Sequence, residues 1–294
     1  MNVLLAGASG LIGKAIKAEL IRAGNTVYPL IRNKRLGPCF YMQENNEIFL
    51  DSSIHLDAVI NLAGVNISER RWSHTVKDQI IQSRVQTTST LSTALASLEK
   101  KPDVYLSASA IGYYGTDSNS TLCESSPAGN DFLARLAVGW ERATEPAKAE
   151  GIRTCLLRFG LVLSPGGGMV KNLLLPFRLG CVGPIGSGLQ MLSWVSLDDT
   201  ISVMKELLEN KEFNGAINIV SGQPVSSQQF AKALSGSIKR PALPRIPARA
   251  VRVMFGEVAD AALLVGAEVK SERMSELGIK LQHTDIQECL TDIM

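Results

Sequence analysis

Gly7-Ala8-Ser9-Gly10-Leu11-Ile12-Gly13 decides the reading of this chain. These residues follow a short apolar run, Asn2 to Ala6, that predicts a buried strand. They open a segment from Leu11 to Ala23 in which Leu11, Ala15, Ala18 and Ile21 recur at helical spacing, stopped by Gly24-Asn25. Strand, glycine-rich turn and helix in that order form the arrangement that holds a dinucleotide. Residues without a Cβ let the backbone turn sharply and approach a pyrophosphate, and the third glycine lets helix and sheet pack closely. The pyrophosphate then faces free backbone N–H groups at the positive end of the helix dipole.

Beyond this turn, strand and helix patterns alternate. Thr26 to Ile31, Ile48 to Leu50, Asp57 to Leu62, Val104 to Ser107 and Ile152 to Phe159 read as the second to sixth strands. Ser73 to Leu98 and Asp131 to Glu150 read as long helices between them. Such repetition predicts an α/β, Rossmann-type doubly wound parallel sheet with helices on both faces. The pattern changes at Pro165-Gly166-Gly167-Gly168. We therefore expect a nucleotide-binding domain over residues 1–165 and a smaller mixed α/β lobe on the substrate side over 166–294. That lobe holds a helix at Asp199 to Glu209, a strand at Ala216 to Val220, a helix at Ser226 to Leu234, an extended linker at Arg240 to Pro247 and a C-terminal extension over about 248–294.

Composition narrows the function. The chain has 294 residues, 45% hydrophobic and 20% charged, enough apolar character for a sizeable core. A net charge of +2 gives no reason to expect nucleic acid or an anionic membrane as partner. The apolar runs fall far short of the ~20 residues of a bilayer span, and the N-terminal run lacks the features of a signal peptide. A cytoplasmic protein is expected. Five cysteines without Cys-x-x-Cys spacing and three histidines without a His-x-x-x-His pair disfavour a His/Cys metal site. No Gly-x-Ser-x-Gly elbow is present, which disfavours a serine hydrolase.

The end of the second strand bears on the choice between NAD and NADP. An NAD site places an Asp or Glu there for the ribose 2′-OH, whereas a 2′-phosphate wants Arg. Here the run is Ile31-Arg32-Asn33-Lys34-Arg35, with three basic residues and no acid. Arg32 can fork two donors onto a phosphate and stack on adenine, so NADP is expected. A solvated basic loop is the alternative.

Several segments together resemble the short-chain dehydrogenase/reductase superfamily in its extended, nucleotide-sugar-epimerase-like branch. They are the glycine turn, Asn61-Leu62-Ala63-Gly64, Ser107-Ala108-Ser109, Leu157-Arg158-Phe159-Gly160 and Trp194-Val195-Ser196-Leu197-Asp198-Asp199. Ser83-Arg84-Val85, Gly112-Tyr113-Tyr114-Gly115, Leu175 to Gly180 and Gly183 to Gly188 resemble, more narrowly, its atypical subgroup of epimerase family proteins, as does the C-terminal extension. The resemblance implies a cofactor on Gly7, Ser9, Gly10, Leu11, Ile12 and Gly13, with Arg32 at the adenosine phosphate. It implies Leu62, Ala63 and Gly64 beside the adenine-side ribose and Leu161 near the nicotinamide. Arg84 stands where ordinary members carry an active-site Asn; a guanidinium there is suited to a cofactor phosphate or ribose.

One motif departs from the family. Ordinary members use Tyr-x-x-x-Lys, in which Lys holds the nicotinamide ribose and lowers the Tyr pKa. Four places after the five tyrosines stand Arg32, Asn45, Ser109, Asp117 and Ser118, none of them Lys. Anchored on Glu141, the expected helix places Leu133 and Ala137 at the Tyr and Lys positions. Ser109 matches the superfamily's catalytic Ser, and Tyr113 is the candidate substitute proton donor. The other reading is that Ser109 caps a strand end and the tyrosines pack the loop. Arg245, Arg249 and Arg252 form a basic stripe suited either to a diphosphate or to water. The expected function is an NADP(H)-binding, epimerase-like oxidoreductase or isomerase acting on a small molecule; a non-catalytic NADPH-sensing protein is the alternative.

Overall fold

The computed structural model describes residues 1–32, 37–116, 120–167, 183–239 and 244–294. Lys34, Arg35, Asp117, Ser118, the Leu175 to Gly180 motif, Cys181 and the first part of the Arg240 to Pro247 linker lie outside the described residues. The central layer is a six-stranded, all-parallel sheet. Its strands are β1 (Asn2–Ala6), β2 (Thr26–Leu30), β5 (Ala58–Asn61), β6 (Val104–Ala110), β7 (Arg153–Phe159) and β11 (Gly215–Ile219), in the order β11-β7-β6-β5-β1-β2. This is the doubly wound α/β architecture that the alternating pattern implies.

Alternation along each strand explains the two faces. Val3 and Leu5 of β1 point to one side with Ala58, Ile60 and Leu106, and bury Ile16 and Leu20 of helix α1 (Leu11–Arg22) together with Val203, Met204 and Leu207 of the helix Leu197–Glu209. Leu4 and Ala6 point to the other side with Val59 and Tyr105, against Leu91 and Leu95 of α3 (Thr87–Ala96) and Ala147 of α5 (Glu145–Ala149). The edge strand and the helix Leu197–Glu209 both lie beyond residue 165, so the sheet draws on both sides of the expected boundary.

Three local expectations are modified. The helix expected over Ser73 to Leu98 begins as α2 (His74–Ile81), widens into a π turn at Gln82–Gln86 and resumes as α3. The helix expected over Asp131 to Glu150 is split into α4 (Phe132–Arg142) and α5. Pro146 accounts for the split, since its ring conflicts with the carbonyl four residues earlier and it has no N–H to donate. Ile48 to Leu50 does form a strand, β4 (Glu47–Leu50), but pairs antiparallel with β3 (Cys39–Met42) outside the main sheet. A connection this short closes a hairpin and cannot make a parallel crossover.

Beyond β7, β8 (Leu161–Leu163) pairs with β10 (Trp194–Ser196), and β9 (Met191–Leu192) with β12 (Val225–Ser226). A second core gathers Leu163, Trp194, Phe230 and Leu234 with Ile286, Cys289 and Leu290 of the last helix. Among the described residues no helix is long and apolar enough to cross a membrane.

The glycine turn is packed backbone against backbone. Gly7 has φ +79°, and a Cβ on it would lie 2.5 Å from the Leu62 carbonyl oxygen. A Cβ at Gly13 would lie 2.1 Å from the Gly7 oxygen. Because the obstacle is backbone, relief requires moving α1 off the sheet. Gly13→Ala is therefore expected to cost at least about 1–3 kcal/mol, the usual penalty of forced overpacking. Urea unfolding measures it, and an unchanged midpoint would contradict this packing.

Candidate functional site

Parallel strands send all their C-terminal ends to one edge, and the crevice in such sheets opens where the strand order reverses. Here that point lies between β1 and β5, because the chain passes from β1 outward to β2 and returns on the other side to β5. The turn Gly7–Gly13 and the loop Leu62–Gly64 leave the sheet at this point. Register places Ala6 beside both Leu30 and Asn61, so Arg32, two residues beyond Leu30, comes to the same edge. Ser109 in β6 and Leu161 just after β7 complete it.

The turn is shaped for an anion. Gly10 is the N-cap of α1, makes no side-chain cap bond, and no acidic residue occupies the first helical turn. The Gly10 N–H closes the turn onto the Gly7 oxygen at 3.0 Å. A Cβ at Gly10 would meet only that oxygen, at 3.3 Å, so its outer side is open while Gly7 and Gly13 are walled in. Asn61 shapes the neighbouring loop. Its Oδ1 accepts from Ala63 N at 3.2 Å, and its Nδ2 donates to Thr88 Oγ1 at 2.8 Å and to the Tyr105 hydroxyl at 3.2 Å. Trp140 donates to the same Thr88 oxygen at 3.0 Å, tying α4 to the loop.

Arg84 sits in the π turn and lies across Gly64. A Cβ there would come within 3.1 Å of its Cζ, so Gly64 is the residue that leaves the guanidinium its place. The guanidinium stands 5.1 Å from the Trp140 ring centroid. Burial pulls its pKa down to about 10. Arg32 is exposed. Leu161 packs on the second core beside Trp194.

At the β6 end the structure brings together residues that sequence reading did not assemble. Arg158 forks onto Glu141, Nε to Oε1 at 2.8 Å and Nη2 to Oε2 at 2.9 Å, with both side chains buried. Its Nη1 donates to the Tyr114 hydroxyl at 2.9 Å, which donates to Asn218 Oδ1 at 2.7 Å. Ser109 Oγ donates to Glu141 Oε1 at 2.7 Å, and the Tyr113 ring lies 3.5 Å from the Arg158 guanidinium carbon. Burial pushes the Tyr114 phenol up to about 12, against the opposing pull of Arg158, so it stays neutral. The signals available were an arginine inside the apolar run of β7 and an asparagine inside that of β11.

Ser109 is only 2% exposed. Leu133 lies beside Gly112, and Ala137 is buried. Two other acids near this edge serve the fold. Asp131 caps α4 by accepting from Ala134 N at 2.8 Å. Glu124 accepts from Asn218 N, Ser271 Oγ and Glu272 N, pinning the C-terminal extension. In the basic stripe, Arg252 is paired with Asp260 at 2.9 Å, while Arg245 and Arg249 are exposed.

The buried pair yields a stability test. Glu141→Gln leaves an uncompensated Arg158 cation and is expected to cost about 3–5 kcal/mol, whereas the double variant Glu141→Leu, Arg158→Met should recover most of that loss. Urea midpoints at constant m-value report both; a loss under about 1 kcal/mol in the single variant would deny the pair its place in the fold.

The model of the NAD dependent epimerase/dehydratase family matches residues 3–220. The chain is 37% identical over 290 residues to the epimerase family protein Mb2239 of Mycobacterium bovis, covering 98% of this chain and 96% of that protein. It is 33% identical over 299 residues to the epimerase family protein SDR39U1 of Mus musculus, covering 100% of both. Among solved structures, human epimerase family protein SDR39U1 (isoform 2) with NADPH aligns at a TM-score of 0.91 and 30% identity, over 100% of this chain and 99% of that one. A UDP-glucuronic acid 4-epimerase of Bacillus cereus shares the fold, at a TM-score of 0.76 and 17% identity over 100% of this chain and 98% of that one.

Proposed function

The chain belongs to the NAD-dependent epimerase/dehydratase family, and from that premise we propose that it binds NADP(H) along the C-terminal edge of its sheet and acts as an oxidoreductase or isomerase on a small molecule. The observation that carries the reading is the turn. Gly7 and Gly13 have no room for a Cβ, and Gly10 opens outward onto a helix N-terminus without cap or acid. That cradle fits a diphosphate. The human relative solved with NADPH, at 30% identity, supports the choice of cofactor.

In this reading Gly7, Ser9, Gly10, Leu11, Ile12 and Gly13 hold the diphosphate, with charge complementarity from the α1 dipole. Arg32 meets the 2′-phosphate. Leu62, Ala63 and Gly64 line the ribose, held in shape by Asn61, the Arg84 guanidinium across Gly64 serves a cofactor phosphate or ribose, and Leu161 flanks the far end. NADP(H), when bound, donates or accepts hydride. Ser109 keeps its proton directed at Glu141, which leaves its lone pairs as acceptors for a substrate hydroxyl. Tyr113, seated on Arg158 with no hydrogen-bond partner for its hydroxyl among the described residues, is free to pass a proton. No Lys stands four residues after any Tyr to assist it, so turnover is expected to be slow. Commitment of Ser109 to Glu141 also favours a second reading, a protein that binds NADPH as a signal.

Titration with both cofactors tests the placement. Wild type should bind NADPH more tightly than NADH, and Arg32→Ala should lose about 10- to 150-fold in NADPH affinity, the worth of a charged hydrogen bond. Equal wild-type affinities would remove the case for NADP. Gly10→Val should stay folded by circular dichroism and bind neither cofactor; undiminished binding would move the dinucleotide off this turn.

Single-turnover oxidation of NADPH across a panel of carbonyl compounds separates the two readings. Slow oxidation with at least one carbonyl is expected, depressed in Ser109→Ala and Tyr113→Phe at near wild-type cofactor affinity. Acid–base assistance of this kind is typically worth about 10²–10⁴-fold. No oxidation with any carbonyl supports the sensing role; rates unchanged in both variants place the chemistry elsewhere.

A further inference from the structure

The net charge of +2 conceals a segregation of charge. From Phe213 to Gly256 the chain has no Asp or Glu and six basic residues, Lys232, Lys239, Arg240, Arg245, Arg249 and Arg252, so the remainder is net acidic. Among the described residues the three most exposed large apolar side chains are Val253 at 71%, Leu189 at 69% and Met254 at 64%. Val253 and Met254 lie inside the basic stretch, and Leu189 stands at its border. The turn 184–189 is held to Ile246 by two bonds of 2.9 Å, Gly186 N to Ile246 O and Ile246 N to Pro184 O. A Cβ on Gly188 would lie 3.8 Å from Arg245 Nε, so Leu189 emerges beside that arginine. Apolar side chains scattered over a surface are ordinary; an acid-free cationic region that gathers the most exposed of them marks a contact surface.

The helix Ala248–Phe255 presents this surface. Val251 is buried and Phe255 half-buried, which turns one face of the helix to the protein. On the opposite side Val253 lies one turn from Arg249 and Met254 one turn from Ala250, all four exposed. Arg252 is occupied by Asp260 at 2.9 Å, whereas Arg245 and Arg249 form no ion pair among the described residues. The helix is braced from behind, because Arg71 Nε donates to Met254 O at 3.4 Å and Lys77 Nζ to Glu257 Oε1 at 2.6 Å, just beyond its end. We infer that this face docks on an anionic lipid bilayer, with Val253, Met254 and Leu189 entering the boundary between headgroups and acyl chains and Arg245 and Arg249 against the lipid phosphates. Cations that stay with the headgroups while apolar neighbours go deeper are the pattern of an interfacial helix. Side chains this exposed stand out from the surface and wall no groove, which suits a fluid apolar phase and offers a partner protein's side chains no pocket. With no spanning helix among the described residues, the association is peripheral. It does not rest on the cofactor reading.

Co-sedimentation of the full chain with lipid vesicles is the test. Vesicles of equimolar phosphatidylglycerol and phosphatidylcholine should bind it, vesicles of phosphatidylcholine alone should bind it at least about 25-fold less, and raised salt should release it. Each arginine beside an anionic surface is worth about fivefold in partitioning, so Arg245→Gln combined with Arg249→Gln should lose about 25-fold. Val253→Ser combined with Met254→Ser gives up apolar burial and should lose at least about tenfold. Circular dichroism and an unchanged urea midpoint check that each double variant is folded. A wild type that binds neither vesicle overturns the proposal, as does equal binding to both or partitioning unchanged in either double variant. Without vesicle binding, self-association in sedimentation velocity that Val253→Ser with Met254→Ser abolishes makes the occupant a second copy of this chain. Cross-linking from position 254 to an acidic protein makes it that protein, and either result replaces the bilayer.

Discussion

Three stretches of backbone meet at Gly7, and none leaves space for a side chain. The turn lies against the Leu62–Ala63 peptide on one side and receives Gly13 of α1 on the other. This contact fixes where α1 starts, how closely it lies on the sheet and where its N–H groups point. It also sets the loop after β5 beside the turn, so the two segments that flank the crevice are positioned by one another. The proposed cofactor and substrate chemistry is arranged around that junction.

The second constraint is electrostatic and lies under the β6 end of the same edge. A bidentate Arg158–Glu141 pair links β7 to α4, and Ser109, Tyr113 and Tyr114 are each held by one of its members. The pair thus has a structural role directly beside Ser109, the residue proposed to face the substrate. Segments beyond residue 165 are fastened by comparable polar pins. Asp199, at the start of the helix Leu197–Glu209, accepts from Gln282 N and His283 N at 2.6 and 3.0 Å, and Glu124 receives the start of the helix Glu272–Glu276. These bonds act beside apolar contacts of the same segment, Leu277, Ile279 and Leu281 on the main core and Ile286, Cys289 and Leu290 in the second.

The parts of this molecule legible in the sequence are those with a period. Short apolar runs in β1, β5 and β7 and helical spacing in α1 revealed the sheet and its winding, and the spacing of three glycines identified the turn. Partnerships between distant side chains have no such signature. Nothing local in Leu157-Arg158-Phe159 says that its arginine turns to Glu141, and nothing in Ser83-Arg84-Val85 says that its arginine lies across Gly64 and against Trp140. The π turn around Arg84 is invisible for the same reason, since one additional residue in a helical turn leaves the apolar spacing almost intact. Pro146 was readable in principle, as a break in a run otherwise helical, and the Cys39–Leu50 hairpin was hidden by the brevity of its strands.

Whether the dinucleotide rests on the first turn of α1 is tested most directly by amide hydrogen exchange of the protein with and without NADPH, because the atoms in question are the amides themselves. Strong added protection is expected over residues 9–13 and in the loop 62–64, with little change in the hairpin 39–50. Protection confined to other segments, with residues 9–13 exchanging at the same rate in both states, would contradict that placement.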